Sequence, residues 1–198
     1  MPLLPLDDYI ALVEKSHGHL CAGQILGVRL GIHGLNLLRL DDPLGVHRKR
    51  LITCVEIDRC ATDAIGVVTG CRLGKRSLKF FDFGKMAATF CDLEGGRAVR
   101  VVALESSKQK ALAMFPEIDA RNRREMEAYR RLPEEELFSH QWVSVPVGPD
   151  DLPGFKSLRV ECADCGERIS FNRQVERGSV LLCRACAGQR YYEVIDQF

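Results

Sequence analysis

Two cysteine pairs near the C-terminus limit what this chain can fold into more than any other feature. Cys162-Ala-Asp-Cys165 and Cys183-Arg-Ala-Cys186 make C-x2-C-x17-C-x2-C. At this spacing two knuckles each present two sulfurs to one tetrahedral ion. Gly166 and Gly188 follow the pairs closely and ease the tight turns. A fragment of about 40 residues holds too little apolar core to fold unaided, so the metal supplies much of its stability. The pattern therefore implies Zn2+ held by Cys162, Cys165, Cys183 and Cys186, in preference to two disulfides.

The remainder is long enough for one ordinary body. Of 198 residues, 46% are hydrophobic and 28% charged, which argues against disorder. The stretch GPDDLPG at 148–154 reads as a linker. We therefore expect a body over 1–147, a linker over 148–157 and a zinc ribbon over 158–198. The formal net charge of +1 gives no global attraction to nucleic acid or anionic lipid. Within 156–190 seven basic residues face four acidic ones, too even a balance for a phosphate-binding ribbon, so nucleic acid is not an expected partner. No run of 18 apolar residues occurs, and MPLLPLDDYI lacks the basic start of a signal peptide, so no membrane and a cytoplasmic location are expected.

Hydrophobic periodicity gives a mixed order of elements. Residues 7–16 read as a short helix capped by Asp7 or Asp8, with Tyr9, Ile10 and Val13 as its apolar stripe. A longer helix follows, with Ile25, Val28, Ile32 and Leu35 on one face and Gly23, Gly27 and Gly31 on another. The glycine face marks a tight contact, internal or across a dimer. Strands are expected over 51–57, 78–83, 87–93 and 98–104, the last two joined by EGGR. A buried helix is expected over 60–69, helix over 106–131 broken near Pro116, a short helix from Pro133, and a closing strand over 141–147. The charged run RNRREMEAYRR reads as a solvated face. This order favours an α+β body, mixed helix and antiparallel sheet, over a regular parallel α/β one.

The densest set of ligand-type residues lies in His17-Gly-His19-Leu-Cys21-Ala-Gly23. Two imidazoles and a thiol within five residues, on a glycine-flexible turn, suit a metal or a reactive centre. Cys21 stands at a helix start, where backbone N–H groups and the helix dipole favour a thiolate. Cys60 stands at the start of the next helix, Asp63 shares its face, and Cys71 lies just beyond that helix. Cys54, Cys91, His33, His47 and His140 read as ordinary core or surface residues. GCRLGKRS is no P-loop, because Thr69 and Arg76 stand where glycine and a hydroxyl residue are required.

The blocks HGHLCAGQILGVRLG and VEIDRCATDAIGVVTGCRLGKRSLKFFDFGKMAATF resemble the FmdE family of formylmethanofuran dehydrogenase, over roughly residues 8–145. One departure is Ala22, where the family usually has proline. The resemblance implies an α+β domain, often a homodimer, with a metal site around the His/Cys motif and a partner molybdenum- or tungsten-dependent enzyme complex of one-carbon metabolism. Carried onto this chain, it points to His17, His19, Cys21, Cys60 and Cys71 as ligands of a second ion, taken as Zn2+, with Asp63, Lys75 and Lys85 nearby. Two readings follow. In one the protein is a metal-binding accessory to such an oxidoreductase or its cofactor supply. In the other it is a metal- or thiol-dependent enzyme in which Cys21, Cys60 and Asp63 act. A ribbon-led regulatory or nucleic-acid binder ranks last.

Overall fold

The computed structural model describes residues 2–195. They form two compact units, residues 1–146 and 147–198. The first is α+β. Helix α1 (Leu6–His17) starts directly after Pro5, so Asp7 and Asp8 occupy its first turn instead of capping it. There, and with Lys15 and His17 in the last turn, charges of the right sign meet each end of the helix dipole. Gly18 ends the helix at φ +89°, its N–H donating to Glu14 O.

Helix α2 (Ala22–Leu38) is the centre of the unit, with Ile25, Val28, Leu30 and Leu35 wholly buried. Helix α3 (Cys60–Thr69) packs on it through the glycine face: a Cβ on Gly27 would lie 2.6 Å from Ala61 O. On the sheet side, a Cβ on Gly34 would lie 2.3 Å from Phe90 Cδ2. The glycine stripe of α2 thus serves contacts inside this unit.

Five strands form one sheet in the order β2-β1-β3-β4-β5: β1 Leu51–Val55, β2 Leu78–Phe80, β3 Ala87–Asp92, β4 Arg97–Ala103 and β5 Phe138–Val143. β1 and β2 run parallel, joined across α3, with Thr53 opposite Leu78; the other pairs are antiparallel. β2 is shorter than expected because Phe81 N–H and Phe83 N–H turn back to Val55 O and Glu56 O. β5 begins earlier than expected, at Phe138, because β4 offers partners as far as Ala103 opposite it. It ends before Pro146, which has no N–H to donate. The last helices are α4 (Ser106–Met114), α5 (Arg121–Arg131) and α6 (Glu134–Leu137), with α4 ending just before Pro116.

The second unit holds two small hairpins, β6 (Val160–Glu161) with β7 (Arg168–Ile169) and β8 (Val175–Arg177) with β9 (Val180–Leu182). A short helical turn over Ala185–Gln189 follows. Together they carry the helix/sheet body and ribbon-type module that the element order implies.

Candidate metal centres

The four ribbon sulfurs all lie within 4.8 Å of one another. Cys162 precedes the first knuckle turn, where Gly166 at φ +75° returns its N–H to Cys162 O. Cys183 follows β9 and donates its backbone N–H to Cys162 Sγ at 3.2 Å, while Cys186 N–H reaches Cys183 Sγ at 3.3 Å. Such N–H donors favour sulfur as thiolate. Backbone donors at Cys165 and Cys183 lower the Cys162 thiol to about 6. Cys165 Sγ and Cys183 Sγ stand 3.9 Å apart. A tetrahedron with Zn–S of about 2.3 Å has edges of about 3.8 Å, so this separation suits one shared ion, and it is far beyond a disulfide bond. The donor set and its geometry fit zinc.

The N-terminal constellation is built from the ends of three helices. His17 closes α1, Cys21 is the residue before α2, and Cys60 opens α3. His17 Nδ1 meets Asp63 Oδ2 at 3.0 Å, which orients the ring and leaves Nε2 for another partner. The rings of His17 and His19 lie 4.8 Å apart. The Cys21 and Cys60 thiols are hydrogen-bonding neighbours, and burial followed by that contact raises the Cys60 thiol above its ordinary value. Cys60 thus departs from the simple helix-start expectation of an eased thiolate.

Cys71 is placed differently. Its thiol is buried, accepting from Thr53 Oγ1 at 3.4 Å and lying 3.7 Å from Leu51 O, both on β1. Burial raises it as well. Among the described residues, only the ribbon cysteines bring three or more ligand atoms within 4.8 Å of one another. The His/Cys cluster is gathered more loosely than that.

Two clefts meet at Cys60. One, of about 440 Å3, is walled by His17 and Asp63 on one side and Leu73, Leu78 and Phe80 on the other. The second, of about 570 Å3, runs past Cys21 and Gly23 to Lys108, Arg121 and Glu125. Arg121 and Glu125 belong to the charged run read above as a solvated face. Part of that face lines the cleft, and Asn122 beside them accepts the Ala22 N–H at 2.9 Å, capping α2 from 100 residues away. A run of alternating charges carries no local sign of such a long-range role.

The molecule is thus an α+β helix/sheet domain with a four-cysteine zinc ribbon. Its residues 16–139 match the family model described as "FmdE, Molybdenum formylmethanofuran dehydrogenase operon", and the chain belongs to that family. Residues 155–192 match the prokaryotic dksA/traR C4-type zinc finger. A "Probable S-adenosyl-L-methionine-binding protein" of Archaeoglobus fulgidus is 30% identical over 216 residues, covering 99% of this chain. The chain spans 57% of that relative's length. The crystal structure of an FmdE-like protein of tungsten formylmethanofuran dehydrogenase from Syntrophus aciditrophicus shares the fold, with a TM-score of 0.62, 22% identity and 95% of each chain covered. Among the described residues no helix is long and apolar enough to cross a membrane.

Proposed function

We propose that the body of this protein holds a second metal ion, Zn2+, at His17, His19, Cys21 and Cys60, and that the protein is accessory to a molybdenum- or tungsten-type oxidoreductase of one-carbon metabolism or to its cofactor supply. The observation that carries the reading is the meeting of three helix ends. Their imidazoles stand 4.8 Å apart, their thiols touch, and Asp63 already holds the outer nitrogen of His17. Imidazole and thiolate donors together suit zinc among the common divalent ions. Bound there, the ion would act as a Lewis acid. Asp63 fixes the His17 ring, and Cys60 sits where both clefts open. Cys71, engaged with β1, is the weakest member of the ligand set. A homodimer working in the cytoplasm completes the reading.

The enzyme alternative keeps one supporting observation. Cys60 lines both clefts, so a bound molecule could reach it and Asp63 beside an ion with an open position. Replacing His19 and Cys21 together with alanine tests the site common to both readings. Metal content should fall from about two ions per chain to about one, the ribbon ion staying. An unchanged content would overturn the second site.

A further inference from the structure

The charged lobe of the larger cleft has no part in holding a metal, and its chemistry points elsewhere. Arg59, Lys108 and Arg121 line it, together with the first residues of α2 and α3. Against these cations stand Asp58 and Glu125. Glu125 is already matched, since Arg121 Nε donates to it at 2.7 Å; the two terminal nitrogens of that guanidinium have no partner among the described residues. Lys108 pairs with Glu105 on the exposed surface of α4, a contact that holds it weakly. Arg59 has no side-chain partner among the described residues.

Two helices of 17 and 10 residues begin at this wall, each with a partial positive charge at its start, and α2 has no acidic residue in its first turn. A second observation lies one turn into α2. Gln24 is completely buried, its Oε1 accepting the Cys21 N–H at 2.9 Å, while its Nε2 donor has no partner. An orphaned buried donor beside the lining residue Cys21 favours an acceptor there. At about 570 Å3 the cleft falls within the range of small-molecule sites.

We propose that this lobe binds the phosphate group of a small phosphorylated molecule, with Arg59, Lys108 and Arg121 as its cationic clamp and the rest of the molecule directed along the cleft past Cys21 and Cys60. A dianion answers the surplus of three cations and two helix starts over two carboxylates. A monocarboxylate leaves part of it unmatched. The guanidinium of Arg121 can offer its free nitrogens as a paired donor, the geometry suited to phosphate oxygens. This goes beyond the metal reading and does not need it, because none of the three cations is a candidate ligand.

Calorimetric titration of the full chain, as purified, with inorganic phosphate tests it. Saturable binding of one phosphate per chain is expected, weakened roughly tenfold or more in Arg59→Ala/Lys108→Ala, the scale of one lost charge-assisted hydrogen bond. Arg123→Ala, on the same charged helix but outside the cleft lining, should bind as the parent does. Acetate at equal concentration should not displace the phosphate. Absence of saturable binding in the millimolar range, equal affinity in the double variant, or equal displacement by acetate would each overturn the proposal. Metal content read on the same samples separates the two sites. Phosphate affinity lost with metal retained supports the clamp, and loss of both overturns it. Failure of the metal reading shows instead in the His19→Ala/Cys21→Ala stoichiometry.

Discussion

Gly27 illustrates how single residues set the site. A Cβ there would meet Ala61 O at 2.6 Å and Ala61 Cα at 2.7 Å, backbone atoms that cannot swing aside. Gly27→Ala should therefore force α2 from α3 and cost about 1–3 kcal/mol, read as a lower Tm. A parental Tm would show that the helices part without penalty. At the far end of the same helix, His33 Nδ1 lies 2.5 Å from Glu134 Oε2. That hydrogen bond first, then the positive charge of His33 and Arg29, holds the Glu134 carboxyl below its usual range in spite of burial. A carboxylate lowered on folding gives stability that is fully present above its unfolded value, ~4.3, and is lost as pH falls through the folded value. Glu134→Gln should accordingly be less stable than the parent near neutral pH, and the gap in Tm should close as pH drops below ~4.3. A gap that stays constant on acidification would assign the loss to packing.

At the scale of elements, the start of α2 depends on α5. Asn122→Ala removes the acceptor for Ala22 N–H. It should cost about 1 kcal/mol, as loss of a side-chain cap does, and raise hydrogen exchange at the first turn of α2, next to Cys21. Exchange unchanged at Ala22 and Gly23 would remove Asn122 from that role. The elements themselves were largely legible in the sequence, because their signals are local. Gly18, Gly70 and Gly96 stop helices and turn hairpins at positive φ, and 60–69 reads as the buried helix it forms. The edges of the sheet were not legible. Where β2 and β5 begin and end is decided by which partner strand runs beside them, a non-local fact. The same division holds at the site. C-x2-C spacing encodes the ribbon locally, whereas Lys108, Arg121 and Asn122 reach the His/Cys region only through tertiary packing.

At the scale of the whole molecule, the chain divides into two compact units with separate sources of stability. The first rests on a buried core that runs from Tyr9 and Val13 through α2 to Phe90, Val99 and Leu137. The second has little apolar core and converges on four sulfurs. Ending the chain at Pro146 should therefore leave a body with one cooperative melt; a truncated body that fails to fold would contradict this independence. A strong chelator should unfold the ribbon and spare that melt. The central claim, a metal in each unit, is tested most directly by elemental mass spectrometry on anaerobically purified protein. About two ions per chain are expected, zinc in both places. One zinc per chain would leave the ribbon as the sole metal centre and contradict the site at His17, His19, Cys21 and Cys60.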